Sequence, residues 1–156
     1  MSETTPKGFG AALRRAFATE IKAKVIAAVV DTAARLEAEA VRLTDEAGAV
    51  DLTTYKASWE HRRTLNGAIL RNTAPYAAVI EYGRRPGAPG PPLEPILKWV
   101  KRKLVPNGVV DPKEAVNAAY HIRNSIHVKG TRPRGIMRKT ISKTGLFLAQ
   151  SLRRIK

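Results

Sequence analysis

Residues Ala74 to Lys103 read APYAAVIEYGRRPGAPGPPLEPILKWVKRK, a short apolar turn, a Gly/Pro-rich arm and an amphipathic segment with no spacer between them. Proline suits the first turn of a helix and glycine the position just past its end, so Pro75 to Tyr82 is expected to be a short helix stopped by Gly83. Gly83 to Pro92 then holds four prolines and three glycines in ten residues. Such a stretch can neither continue a helix nor pair as a central strand, and is expected to be an extended arm. Leu93, Ile96, Leu97, Val100 and Leu104 resume a helical stripe.

Working outward, Leu13, Phe17, Ile21, Val25 and Val29 step by four, and Ala33, Leu36, Ala40, Leu43 and Ala47 continue by three or four. One long helix from Gly10 to Ala47, or two closely joined ones, is predicted, with Gly48 as its stop. At about 1.5 Å per residue it is roughly 55 Å long, more than one small core covers, so part of its face is expected to pack on another chain. Tyr55 to Arg62 and Ala68 to Asn72 read as a hairpin turning near Leu65-Asn66-Gly67, with Tyr55, Ala57, Trp59 and His61 on one strand face and positive φ angles from Asn-Gly. Downstream, Asp111-Pro112 starts a helix that presents Val116, Ala119, Tyr120, Ile122 and Ile126 inward, and Glu114 completes a capping-box-like start. Gly130 to Gly135 breaks the chain again, and a last, less regular segment follows in which Gly145 is an expected interruption. The fold class is α+β: a long N-terminal helix, a small antiparallel β-hairpin and several packed helices around an extended arm. One domain, 1–156, is expected, with 1–9 a flexible tail, 83–92 the arm and 152–156 frayed.

Charge divides the chain at Gly83. Residues 1–83 carry 11 Lys and Arg against 10 Asp and Glu, whereas residues 84–156 carry 17 against 3, so nearly all of the net +15 lies in the second half. Such a field asks for nucleic acid or an acidic protein surface. Arg132, Arg134, Arg138, Lys139 and Lys143 are the candidate contacts, either as sequence-blind, salt-sensitive phosphate ligands or as partners of acidic proteins. No base-reading motif accompanies them.

The chain has no cysteine, which excludes disulfides, thiolate zinc sites and cysteine nucleophiles. No catalytic, cofactor or metal residues are assigned. Gly83, Gly87 and Gly90 lack the Lys-Ser/Thr of a phosphate loop, and His61, His121 and His127 have no metal-ligand spacing. His61 has no visible partner that would make it a base, and Glu81, the single acid in a basic region, is expected to pair with an arginine. The N-terminus has no signal-like apolar run, and no span or membrane partner is expected.

Tyr76, Ala77, Glu81, Tyr82 and Gly83 carry a resemblance. The stretch from Pro75 to Gly83 resembles the putative tail-component family of long-tailed bacteriophages, the neck and tail-completion proteins, in which a Tyr-Ala pair and an apolar turn lead to Glu-x-Gly, a mobile loop and a proline-started helix. Ile96, Trp99, Val100 and Lys103, with Ala119, Ile122, Ile126, Gly130, Thr131 and Pro133, are similar to an extended form of that pattern. Arg84-Arg85 in place of a Gly-Thr type continuation, and Gly135-Ile136-Met137 in place of an aromatic after the last proline, depart from it. The resemblance implies a non-enzymatic virion protein, assembled in the host cytoplasm as a homo-oligomeric ring, expected to be hexameric, around the DNA channel at the head-tail junction. Its implied neighbours are the connector or head-closure proteins and the tail terminator or tail tube, with Arg84, Arg85, Pro86, Gly87, Pro89, Pro91 and Pro92 as the assembly arm. The alternative is a nonspecific DNA-binding or packaging accessory protein using the basic half.

Overall fold

The computed structural model describes residues 9–48 and 53–154. Its elements are α1 (Phe9–Glu46), α2 (Thr53–Ala57), β1 (Trp59–Thr64), β2 (Gly67–Asn72), α3 (Ala77–Tyr82), α4 (Leu93–Trp99), α5 (Ala115–Lys129), α6 (Ile136–Ile141) and α7 (Thr144–Arg154). The class is α+β, with β1 and β2 forming a two-stranded antiparallel sheet. All of the expected tail but Phe9 lies outside the described residues, as do residues 155 and 156; α7 remains helical through Arg154, well into the stretch expected to fray.

α1 is one uninterrupted helix of 38 residues. Its alanine-rich interior, with no proline and with glycine only near its start, favours that continuity. Its C-terminal half carries the larger core. Ala40 packs with Tyr55, Trp59, Ala74 and Ile136, and Val41, Leu43, Leu70, Tyr76, Ile80 and Met137 surround them. The Trp59 indole is buried and donates to the Thr44 hydroxyl at 3.0 Å, while that hydroxyl donates to the Ala40 carbonyl at 2.7 Å. The indole therefore keeps its hydrogen bond inside the core.

Tyr55 belongs to α2 rather than to the strand expected over 55–62. Its ring meets Trp59 edge-on at 5.8 Å, and burial pushes its hydroxyl up to about 12. The hairpin pairs Trp59 with Asn72 through Thr64 with Gly67, which leaves Leu65-Asn66 as a two-residue turn. Neither Asn66 nor Gly67 has a positive φ, so the turn is not the one expected from Asn-Gly. Asn72 closes the strand instead: its amide donates to Tyr55 O and its oxygen accepts from Ala74 N–H.

α7 packs antiparallel to α1 along a polar seam. Ser151 donates to the Asp31 carboxylate at 2.6 Å, Thr32 and Ser151 hydroxyls lie 3.2 Å apart, and Lys143 reaches Glu39 at 2.6 Å. Glu39 is only 9% exposed. Its hydrogen bond to Arg42, with a second to Lys143, holds its carboxyl down at about 2. A depressed carboxylate stabilises the fold above its unfolded pKa of about 4.5 and loses that contribution as pH falls toward 2. Acid titration followed by circular dichroism is expected to show destabilisation in this window. Glu39→Gln is expected to remove that part of the acid dependence and to cost about 1–2 kcal/mol near neutral pH.

The second core is separate and shares no residue with the first. Ile96 and Val100 pack on Ala115 and Ala119, flanked by Leu93, Leu97, Trp99, Leu104, Ile122 and Ile126. α4 runs directly into a π-helical turn, Val100–Leu104, in which Val105 N–H bonds to Val100 O. The Asp111 carboxylate accepts the Lys113 N–H at 2.7 Å at the 3-10 turn Pro112–Glu114 that opens α5. Val116 and Tyr120, expected inward, are 45% and 53% exposed, because the side of α5 that faces α4 is the one with Ala115 and Ala119.

Candidate functional site

The two cores are joined where α3 and α5 end. Each helix stops on a glycine whose N–H bonds back into the last turn, Gly83 to Val79 O and Gly130 to Ile126 O, both at 2.9 Å. Each glycine opens the same pattern, Gly83-Arg84-Arg85-Pro86 and Gly130-Thr131-Arg132-Pro133, and the two segments cross antiparallel. Arg84 and Thr131 exchange both backbone hydrogen bonds at 3.0 Å. Gly83 has φ 72° and ψ −169°, and Gly130 has φ 69° and ψ −166°. A side chain at Gly83 would overlap the Thr131 carbonyl, and one at Gly130 the Arg84 carbonyl. The crossing is a pseudo-twofold clasp through which the chain leaves the α1 core and returns to it.

Tyr76, Ala77, Glu81, Tyr82 and Gly83 gather at this clasp. Tyr76 and Ala77 border the larger core, and the Tyr76 ring lies 6.2 Å from that of Tyr55. Glu81 is not held by an arginine side chain as expected. Its carboxylate accepts the backbone N–H groups of Met137, at 2.8 Å, and Arg138, at 3.0 Å, and so caps the N-terminus of α6 from another helix. Arg134 N–H to Ile80 O and Gly135 N–H to Glu81 O complete the staple between α3 and α6. Tyr82 is 80% exposed and lines an open cleft of about 520 Å³ with Pro133, Met137 and Ile141.

The arm lies along its own α5. Gly87 N–H donates to His127 O at 2.7 Å, His127 Nδ1 donates to Ala88 O at 2.7 Å, and Arg123 Nε donates to Pro91 O at 3.0 Å. The Arg84 guanidinium turns back onto Pro89 O. These bonds engage the Gly87 N–H and the Ala88, Pro89 and Pro91 carbonyls, while Arg85, Pro86, Gly87, Pro89 and Pro92 stay exposed. A second cleft, of about 540 Å³, opens between this strap and α5, lined by Pro89, Tyr120, His121, Arg123, Asn124 and His127. The cleft itself was not visible in the sequence, which placed Tyr120 on the inward stripe of α5 and gave His121 and His127 no common site.

Of the five candidate basic contacts, Arg134 donates to Ala47 O and Lys143 pairs with Glu39. Arg132, Arg138 and Lys139 are exposed. His61 proves to have a partner that the sequence hid. Glu37 of α1 accepts its backbone N–H at 2.9 Å and lies 2.5 Å from its ring Nδ1. The pair fastens β1 to α1. Among the described residues no group of three His, Cys, Asp or Glu is gathered for a metal, and no helix is long and apolar enough to cross a membrane.

No protein-family model, curated protein or solved structure matches the chain. Tyr76, Ala77, Glu81, Tyr82 and Gly83 lie at a mechanical joint, where Glu81 caps α6 and Gly83 ends α3 and opens the clasp.

Proposed function

We propose that the protein is a structural subunit of a bacteriophage head-tail junction, a neck or tail-completion component that assembles as a homo-oligomeric ring around the DNA channel. The observation that carries this reading is the arrangement of Tyr76, Ala77, Glu81 and Gly83, whose groups hold helix ends and a chain crossing together. Repetition of one heterologous contact around an axis closes such a ring. The outward residues of the strap, from Arg85 to Pro92, are the contact to a neighbouring subunit or ring, and the basic half faces the genome or acidic neighbours.

Mass measurement and negative-stain microscopy test this directly. Rings, alone or on isolated connectors or tail tubes, are the expected result; a strict monomer that binds neither overturns it. The exposed Arg132, Arg138 and Lys139 favour phosphate contact as a second reading. It predicts duplex binding whose logarithmic affinity falls linearly with logarithmic salt, and the triple alanine variant is expected to reduce the slope by about 2–3. Absence of binding at low salt would remove it.

A further inference from the structure

The cleft of about 540 Å³ between the strap and α5 is held open by its own walls. His127 Nδ1 donates to Ala88 O and Arg123 Nε to Pro91 O, so two side chains that line the cleft also pin the strap across it. Gly90 permits the close approach, since a Cβ there would stand 3.2 Å from Arg123 Cγ. Each pin keeps polar atoms to spare, Nε2 on His127 and the two terminal nitrogens on Arg123. Tyr120, Arg123, Asn124 and His127 stand at i, i+3, i+4 and i+7 and so share one face of α5. Tyr120 is 53% exposed, and Tyr120, His121 and Asn124 have neither a hydrogen-bond nor a ring partner among the described residues. We infer that this cleft binds one nucleotide unit, with the base laid on Tyr120 and the phosphate on Arg123, taken either as a free nucleotide or from single-stranded nucleic acid.

Charge makes the ligand an anion. No carboxylate lines the cleft, and of the three acids after Gly83, Glu94 is paired with Lys98 at 2.8 Å and Asp111 and Glu114 sit at the far end of α5. A metal ion would find only His121 and His127, without an acidic ligand to join them. Two further observations separate a nucleotide from a bare anion or an acidic peptide. The exposed ring offers nothing to a phosphate or carboxylate, whereas every base has a flat face to stack on it. The polar groups are also of both kinds. With Nδ1–H given to Ala88 O, the neutral His127 ring turns an acceptor, Nε2, to the cleft, and the Asn124 amide both donates and accepts. Acceptors are of no use to an anion, but they suit the amino group on a base edge. The site uses none of Arg132, Arg138 and Lys139, and it stands whether or not the protein builds a ring.

Titration calorimetry of the full chain at low salt tests this with four probes: 5′-deoxycytidine monophosphate, a short oligodeoxycytidine, inorganic phosphate and polyglutamate. One or both of the nucleotide probes are expected to bind. Binding of the monophosphate shows that a free nucleotide suffices, and binding of the strand alone identifies nucleic acid as the source. Tyr120→Ala is expected to weaken binding at least about 5-fold without changing its salt dependence, while Tyr120→Phe keeps the native affinity. Because Tyr120 is exposed, these variants read the contact rather than the fold. Silence of both nucleotide probes overturns the proposal, as does an affinity that Tyr120→Ala leaves unchanged. Inorganic phosphate bound as tightly as the nucleotide marks a simple anion site, and polyglutamate bound as tightly as the strand marks an acidic-protein surface; either result also overturns it. Rings without Tyr120-dependent binding would leave the ring reading standing and remove this one. A monomer that binds a nucleotide through Tyr120 would do the reverse.

Discussion

Gly130→Ala is expected to be the most damaging single-methyl change in the protein, costing about 3–5 kcal/mol in urea or thermal unfolding. Two effects combine. With φ 69° and ψ −166° the position lies in a backbone region that only glycine adopts without strain, and the added carbon would overlap the Arg84 carbonyl and sit 2.9 Å from Pro86 N. Relief requires moving the strand that carries Arg84, which breaks the paired bonds between Arg84 and Thr131. Gly83→Ala is expected to do the same from the other side, since its added carbon would meet the Thr131 carbonyl and Pro133 N. Gly145→Ala, inside α7 with nothing near its site, is the control and is expected to stabilise by up to about 1 kcal/mol. Similar stability of all three variants would show that the clasp holds nothing.

Glu81→Ala is expected to cost about 2–3 kcal/mol and to loosen α6 selectively. The carboxylate is the acceptor for two donors at the start of a six-residue helix, and that helix contributes Ile136, 1% exposed, to the larger core. Without it both N–H groups lose their partner and the favourable charge at the helix start disappears. Glu81→Gln keeps one oxygen acceptor and is expected to lose about half as much. Hydrogen exchange at the Met137 and Arg138 amides reads the effect locally. Unchanged exchange in Glu81→Ala would mean that α6 is held by packing alone.

How far the fold was legible in the sequence follows from where each signal lives. α1 was readable as helix because a 3.6-residue period runs over that length, although the sequence left open whether it is one helix or two closely joined ones, and its excess over the core was readable from length alone. The start of β1 was not: Tyr55 and Trp59 are four apart, a spacing that fits one helix face as well as one strand face, and the short turn at Ser58 decides between them. On α5, Ala119, Ile122 and Ile126 face the core as expected, whereas Val116 and Tyr120 were misassigned because they form a stripe as regular as that of Ala115 and Ala119. Only the position of α4 distinguishes the two. At the candidate site, Gly83 as a helix stop was visible, whereas the clasp was not, because two short Gly-x-Arg-Pro phrases acquire meaning only when the chain crosses itself. Glu81 was noticed as a lone acid, yet its partners are backbone groups and leave no mark in composition. The Glu37–His61 pair was hidden for the related reason that its members come from different elements.

The clasp also bears on how such a chain changes over generations. Because the polypeptide departs and returns at adjacent hydrogen-bonded residues, Arg84 and Thr131, the intervening stretch behaves as a cassette. Its lengthening or exchange is expected to leave the path of the chain through the α1 core unaltered. The glycines at its two mouths set the limit of such change, since a side chain at either would overlap the opposite backbone.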